Sequence, residues 1–136
     1  METKIRTIAE KLTERLKGSE GVQVFVKRRA RFEDWVKLEL VEIINVIDEN
    51  ALPEVDEIDI QSDNWAVEIK VIPTNYGCSV CDKRGARSIH TSIQGLINDF
   101  KKLNKISKAH KVSIAIVYPL IEGNQYWQKH LNNIDS

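Results

Sequence analysis

Asp59, Glu68 and Lys70 are the residues whose types and spacing most clearly predict chemistry. If Asp63-Asn64 forms a two-residue hairpin turn, Asp59 lies opposite Glu68, with Cβ atoms about 5 Å apart. Two carboxylates so placed repel each other unless a cation lies between them, and Mg²⁺ is commonly bound by one or two carboxylates. Lys70 lies on the same face, where an ammonium can orient or deprotonate an attacking water. The alternative is an exposed strand face with ordinary charge alternation, because short carboxylate patterns recur by chance.

The hairpin is predicted by two segments, residues 56–61 and 65–72, that alternate between apolar and polar residues. In this register the pairs are Ser62 with Trp65, Ile60 with Val67, and Asp59 with Glu68. The alternation assigns five apolar residues to the core face, namely Ile58, Ile60, Val67, Ile69 and Val71. Asp56 is a second candidate for the role of Asp59, although the alternation points it into the core.

A further carboxylate, Glu39, is predicted to face the core. Residues 31–48 have the pattern of a long apolar helix, and at about 100° per residue Glu39 falls inside its apolar stripe. The stripe consists of Phe32, Val36, Ile43, Val46 and Ile47. An ionised carboxylate facing a core is costly unless it is paired or binds a metal. Glu39 therefore needs a partner, which is either a metal ion, a buried salt bridge or a chain end that it caps.

The other elements follow from periodicity, and the order α-β-α-β-β-α-β-α predicts an α/β layered domain. Beside the 31–48 helix and the hairpin, we expect helices over residues 3–17, 88–106 and 124–132, a strand over 22–26 and a buried central strand over 112–118. Gly18 and Gly21 should end the first helix, and Pro53 should break the chain. No repeat or Pro/Gly-rich linker indicates a domain boundary, so residues 1–136 are predicted to form one domain.

The charges of the 136 residues cancel, with twenty basic and twenty acidic side chains. Zero net charge at first disfavours a nucleic-acid partner, but the charges are segregated. Residues 33–68 hold twelve acids and one base, whereas residues 69–111 hold nine bases and two acids. The segregation predicts a carboxylate-rich metal pocket beside a phosphate-binding surface, with intramolecular salt bridging and solvated faces as the alternative. The sequence shows no membrane-spanning run and no signal peptide, so we expect no membrane partner and a cytoplasmic protein.

Together these residues resemble the PD-(D/E)XK nuclease superfamily, which has the restriction-endonuclease-like fold. Its signature is a helix carrying a glutamate, a strand aspartate, a Glu-x-Lys on the next strand, and then a helix and a buried strand. Glu39, Asp59 and Glu68-Ile69-Lys70 match these positions in order. The resemblance covers residues 31–118. It implies a small mixed sheet, made of the hairpin plus the buried strand and flanked by helices.

The resemblance also assigns the ends of the chain. The sequence departs from the family's pattern at two points. Residues 1–30 would be an N-terminal extension of helix and strand, and residues 119–136 would hold a C-terminal helix. The family usually has a strand between its glutamate helix and its aspartate strand, and residues 49–55 leave little room for one. Residues 22–26 could supply it only if Glu10 were the family's glutamate, but Glu10 falls on a polar helix face. Pro53-Glu54 does not supply the Pro-Asp dipeptide.

The resemblance implies a metal-dependent nuclease that hydrolyses phosphodiester bonds in DNA. Asp59, Glu68 and the Ile69 carbonyl would hold Mg²⁺ or Mn²⁺, and Lys70 would position the nucleophile. Glu39 would bind a second ion or orient a metal-bound water. The alternative is a catalytically inactive module of the same fold that binds nucleic acid or protein. A single domain this small also favours a homodimer or a partner subunit.

The connection after the hairpin, residues 73–87, is the other candidate functional segment. It contains the basic residues Lys83, Arg84 and Arg87, which can reach a DNA groove. Lys101, Lys105 and Lys108 line one stripe of the following helix and are predicted to contact DNA, with a solvated face as the alternative. Cys78 and Cys81 form one Cys-x-x-Cys, which is a loop pair, a local disulfide or a metal half-site shared across a dimer. A zinc site within one chain would need two more ligands from His90, His110 and His130.

Overall fold

The computed structural model describes residues 2–28, 30–73 and 89–118, which form a four-stranded mixed sheet flanked by helices. The elements are α1 (Glu2–Gly18), α2 (Glu20–Arg28), α3 (Glu33–Ile47), β1 (Leu52–Val55), β2 (Ile58–Gln61), β3 (Trp65–Pro73), α4 (Ile89–Leu103) and β4 (His110–Tyr118). The strand order is β1-β2-β3-β4, with antiparallel pairing from β1 to β3 and parallel pairing of β3 with β4. The helix predicted over residues 124–132 and most of the 73–87 connection lie outside the described residues.

The predicted hairpin and its register are confirmed. Ile60 pairs with Val67 and Gln61 with Ala66, so Asp59 and Glu68 are the next opposed pair. Ser62 closes the turn, because its backbone N–H donates to the Trp65 carbonyl at 2.9 Å. Turn residues with short polar side chains and alternating strands thus specified the pairing, as expected for a two-residue hairpin loop.

The two faces of the sheet carry different helices. On one face, Ile60, Val67, Ile69 and Val71 pack in the main core with apolar residues of α1 and α3. On the other face, α4 contributes Leu103 to a small cluster with Ile58 and Ala66. The prediction that Ile58 shares the face of the other four residues is therefore wrong. Ile58 follows the β1–β2 turn directly and precedes the first residue that pairs with β3, so the alternation of the paired strand does not constrain it.

The segment predicted as a strand, residues 22–26, is helical and lies in α2. Ser19 precedes this helix, and its Oγ accepts the Val22 backbone N–H at 3.2 Å, as an N-cap residue does. Glu20 in the first turn adds a favourable interaction with the helix dipole. The capped start of α2 therefore outweighs the strand-like alternation of residues 22–26, and the segment is helical. Residues 2–28 are two helices, of which α1 ends at Gly18 as predicted, while Gly21 lies inside α2.

A strand does form where the sequence left little room for one. β1 places Pro53 at the edge of the described sheet, where a missing N–H costs no ladder hydrogen bond. Asp56 and Glu57 join β1 to β2 in a tight turn with φ of 51° and 65°. Because this turn takes only two residues, the short segment between α3 and β2 still has room for a strand of four residues. Asp56 is consequently exposed in the turn. The alternation had suggested that it points into the core, and that expectation is wrong.

β4 was predicted as a central strand covered on both faces. Within the described residues it has β3 as its one neighbour, and most of its side chains are only half-buried. Its last residue, Tyr118, is buried and donates its hydroxyl to the Ala30 carbonyl at 2.6 Å. The Tyr118 ring also lies 5.1 Å from that of Phe32, centroid to centroid, which ties the end of β4 to the start of α3. Among the described helices, none is both long and apolar enough to cross a membrane.

Candidate functional site

β3 extends beyond the part that pairs with β2, and two carboxylates take up its free N–H groups. The Ile69 N–H donates to Asp59 Oδ2 at 2.7 Å, and the Val71 N–H donates to Glu33 Oε1 at 3.0 Å. Asp59 comes from β2, and Glu33 is the first residue of α3. We call this stretch of β3, from Ile69 to Val71 with Asp59 and Glu33 beside it, the notch. In the notch, carboxylates thus take the place of a neighbouring strand beside buried residues of β3.

Glu68 is the most buried carboxylate of the site, with 3% of the residue exposed. Its Oε1 lies 2.9 Å from Lys102 Nζ, yet it has no hydrogen bond of good geometry within the described residues. Burial raises the pKa of Glu68, the Lys102 ammonium lowers it, and a hydrogen bond shared with Asp59 raises it again, to about 7. Near neutral pH, Glu68 is therefore protonated for part of the time.

Lys37 of α3 neutralises Asp59 from the other side. Its Nζ lies 3.4 Å from Asp59 Oδ1 and 3.0 Å from Glu54 Oε1, and only 15% of its side chain is exposed. Burial lowers the pKa of Lys37, but the hydrogen bond to Glu54 and the charge of Asp59 outweigh burial and raise it. The pKa of Lys102 is likewise raised, since its close contact with the Glu68 carboxylate and the nearby negative charges outweigh burial. Each carboxylate of the opposed pair thus has an ammonium partner.

Lys70 lies on the same face of β3 as Glu68, as predicted, but it contacts α4. Its Nζ lies 3.3 Å from Asp99 Oδ2. Gly95, one helical turn before Asp99, is the residue of α4 that lies next to the Lys70 ammonium. The ammonium of Lys70 therefore lies against one face of α4, and Glu68 has Lys102 of the same helix as its partner.

Glu39, predicted as the third member of the site, lies elsewhere. Its Oε2 is 2.6 Å from Arg15 Nη1 of α1, and the same nitrogen contacts Glu42 Oε2 at 2.7 Å. The prediction that Glu39 faces the core is wrong, because the buried face of α3 holds Val36, Leu40, Ile43 and Ile44, whereas Val46 of the predicted stripe is 73% exposed. Glu39 lies at the edge of that face with 21% of its side chain exposed, and of its predicted alternatives the salt bridge is the one observed. The partner is an arginine between two packed helices, and the structure does not bring Glu39 to Asp59 and Glu68.

The donor set for a divalent cation consists of Asp59, Glu68 and backbone oxygen. No group of three His, Cys, Asp or Glu side chains in residues 2–28, 30–73 and 89–118 is arranged to hold a metal ion. In a strand, the carbonyl of Ile69 points to the same side as its N–H, which is the side of Asp59. Two carboxylates and this carbonyl would fit Mg²⁺, which often has few protein ligands. The buried, poorly hydrogen-bonded Glu68 Oε1 is an oxygen that a cation would satisfy. The residues present therefore fit the implied ion, provided that the Lys102 ammonium moves aside.

The predicted DNA-contacting residues divide into three groups. Lys101 is exposed in the last turn of α4 and Lys105 is exposed beyond it, and because the helix ends at Leu103 the prediction of one helical stripe that includes Lys108 is wrong. Lys108 is half-buried, and its Nζ donates to the Ser62 carbonyl at 2.8 Å and to the Asp63 carbonyl at 3.4 Å, so it holds the hairpin turn. The remaining candidates, Lys83, Arg84, Arg87, Cys78 and Cys81, lie outside the described residues, as do His130 and the side chain of His90.

Sequence reasoning missed four residues of the site, namely Glu33, Lys37, Asp99 and Lys102. Helical periodicity did not reveal Glu33, because periodicity describes a helix face and not what approaches the start of the helix. For α4 a signal was available, since Gly and Asp in a helix interior are both unfavourable and here stand four residues apart. Lys37 was the only base among twelve acids in residues 33–68, which also pointed to a paired group.

The chain was compared with protein-family models, with curated proteins and with solved structures, and none of the three comparisons gives a match.

Proposed function

We propose that this chain is a metal-dependent nuclease of the PD-(D/E)XK type that hydrolyses phosphodiester bonds in DNA. The observation that carries the proposal is the opposition of Asp59 and Glu68 on β2 and β3, with Lys70 on the same face. The element order from α3 to β4 supports it, because a helix, three antiparallel strands, a helix and a parallel strand follow the order of the superfamily's signature. The restriction-endonuclease-like fold is part of this proposal.

In the proposed mechanism, Asp59, Glu68 and the Ile69 carbonyl would hold Mg²⁺ or Mn²⁺, and the ion would supply positive charge to offset the charge that develops on the phosphate. Lys70 orients the water that attacks phosphorus. Glu33 borders the notch and replaces Glu39 as the helix-borne glutamate nearest to the site. Lys102 also donates to the Glu57 carbonyl at 2.8 Å, so its ammonium would stay beside the site after a cation replaced it at Glu68.

Cleavage assays test the enzyme directly. Supercoiled, linear, single-stranded and branched DNA are incubated with purified protein and Mg²⁺ or Mn²⁺. We expect at least one substrate to be cut, and we expect Glu68→Gln and Lys70→Ala each to slow cleavage by more than about 100-fold. Asp63→Asn is the matched control, because Asp63 is an exposed carboxylate at the turn of the same hairpin. The proposal fails if the wild-type protein cuts none of the four substrates, or if Glu68→Gln and Asp63→Asn behave alike.

A second function, a metal-free binding module, is favoured by one specific observation. Both Asp59 and Glu68 already have ammonium partners, in Lys37 and Lys102, so the pair needs no cation to be neutralised. Calorimetric titration with Mn²⁺ separates the two functions. A nuclease site binds Mn²⁺ and loses it in Asp59→Ala, whereas a module whose carboxylates serve only its structure shows no Mn²⁺ binding that depends on Asp59.

A further inference from the structure

α4 carries a glycine, Gly95, in its interior, and Asp99 follows it four residues later. Glycine is the weakest helix former after proline, and aspartate is among the weaker of the remaining residues. Residues four apart lie on one face of a helix, so the two unfavourable residues are neighbours. A local inconsistency of this kind is expected at positions kept for function.

Both residues approach the same atom, the Nζ of Lys70. Asp99 Oδ2 lies 3.3 Å from it, and the Asp99 side chain is only 13% exposed. This oxygen has no hydrogen bond of good geometry within the described residues, so the ion pair is its main interaction there. A Cβ atom added at Gly95 would lie 3.4 Å from Nζ and 3.7 Å from Cε. Asp99 thus attracts the ammonium, and a methyl group at Gly95 would be in van der Waals contact with it.

We propose that Asp99 and Gly95 are positioning residues that hold the Lys70 ammonium in its working orientation. The inference rests on the proposed function, in which Lys70 orients the attacking water. Glu68 stands two residues before Lys70 on the same strand face and would attract its ammonium. Asp99 gives Lys70 a partner on α4, while Lys102 occupies Glu68. The four charges are thereby sorted into two pairs, and Lys70 is kept off the carboxylate that is to receive a cation.

The catalytic arm of the test uses steady-state cleavage of the substrate that the wild-type protein cuts. We expect Asp99→Asn to lower kcat by about 10- to 100-fold while KM for DNA and the Kd for Mn²⁺ stay within about twofold. Asp99→Glu, which restores the charge, should recover part of the lost kcat. A role of Asp99 in folding alone would instead lower the melting temperature and leave the kcat of the folded fraction unchanged.

Gly95→Ala tests the room for the ammonium, and it has a matched control. Its added methyl contacts Lys70 Nζ, so we expect kcat to fall by about 10-fold, although alanine favours the helix and the melting temperature should not decrease. Gly21→Ala makes the same change in α2, where the nearest atom to the new Cβ is Ser19 Oγ at 3.8 Å. It should leave kcat unchanged. Equal kcat in Gly95→Ala and wild type would overturn the role of Gly95.

An arm that needs no activity follows the Lys70 ammonium by proton–nitrogen NMR, with Lys70→Met to assign its resonance. A held ammonium should give a resonance in the wild-type protein that broadens or shifts in Asp99→Asn and in Gly95→Ala, but not in Gly21→Ala. An unchanged resonance in Asp99→Asn, or none in the wild type, would overturn the positioning role whatever the cleavage assays give. If the wild-type protein cuts no DNA, the proposed function fails, while the resonance still decides whether Asp99 holds Lys70.

Discussion

Asp48 and Glu68 are two carboxylates at opposite ends of one hairpin, and their surroundings differ sharply. Asp48 lies just after α3 and accepts three hydrogen bonds at the turn, from Ser62 Oγ at 2.6 Å, the Asn64 N–H at 2.8 Å and Asn64 Nδ2 at 2.9 Å. Burial raises the pKa of Asp48, but these hydrogen bonds outweigh burial and lower it to about 2. The pKa of Glu68 is raised to about 7, because its carboxylate is buried without hydrogen-bond donors comparable to those around Asp48.

The difference shows how a structural carboxylate can be distinguished from a candidate functional one. Asp48 has as many donors as its oxygens need, so its charge stabilises the turn and nothing else is required to explain it. Glu68 is buried next to a second carboxylate and has one ammonium in poor hydrogen-bond geometry. A group left in that state lowers the stability of the metal-free protein near neutral pH. Such a cost is expected where a site is kept for a ligand.

The largest expected effect is a fall in the stability of the metal-free protein as Glu68 ionises. The folded-state pKa is about 7 and the unfolded value is 4.5, so the folded state holds the proton more tightly between these values. The contribution of Glu68 is complete below pH 4.5 and is lost as the pH rises through about 7, a change on the order of 3 kcal/mol. Urea denaturation in EDTA at pH 4.5, 6 and 7.5 measures it, as the difference between wild type and Glu68→Gln.

Glu68→Gln should remove this pH dependence, and Asp63→Asn at the exposed turn should retain it. If wild type and Glu68→Gln show the same change in stability over this range, Glu68 is not the poorly matched carboxylate that the comparison requires.

Asp48 is expected to give the opposite slope in a lower pH range. Its pKa is about 2 in the folded state and 3.8 unfolded, so its stabilising effect is present above pH 3.8 and is lost as the pH falls towards 2. Because the side chain is partly exposed, we expect Asp48→Ala to lower the unfolding free energy at pH 6 by about 1 to 2 kcal/mol. Thermal or urea unfolding measures the change, and Asp34→Ala, an exposed carboxylate of α3, is the control.

Asp48→Ala and Glu68→Gln should also differ in their affinity for Mn²⁺. Asp48→Ala should keep the Mn²⁺ affinity of the wild-type protein, since Asp48 belongs to the turn. Loss of Mn²⁺ binding in Asp48→Ala without unfolding would contradict the division between a structural and a functional end of the hairpin.

The hairpin could be predicted from the sequence because its determinants are local. Alternation, two turn residues and a register of period two sufficed to place Asp59 opposite Glu68. The partners of these carboxylates could not be predicted in the same way. Lys102 stands 34 positions after Glu68, and only the packing of α4 on β3 brings them together.

Glu39 shows the same limit for α3. Helical periodicity placed Glu39 inside an apolar stripe that included Val46, but Val46 is exposed and Glu39 lies only at the edge of the buried face. Its partner Arg15 lies 24 residues earlier on α1. Glu33 was missed because its carboxylate replaces a missing strand neighbour of β3, which depends on where β2 stops. Residues 22–26 were misread because five alternating residues fit a strand or a helix, and the Ser19 cap that decides between them precedes the alternation.

The smallest expected effect concerns Lys108, which was predicted to contact DNA and which holds the turn end of the hairpin. Its ammonium donates to two turn carbonyls, so Lys108→Met should lower the unfolding free energy by about 1 kcal/mol. Lys105→Met is the matched control, because Lys105 is exposed and should change stability by less than about 0.5 kcal/mol.

Binding of a fluorescent DNA duplex, measured at two salt concentrations, then tests both lysines. If Lys108 serves the turn and Lys105 serves the phosphates, only Lys105→Met reduces the salt dependence of binding. The reverse result would place Lys108 in the DNA interface and leave the turn to Asp48 alone.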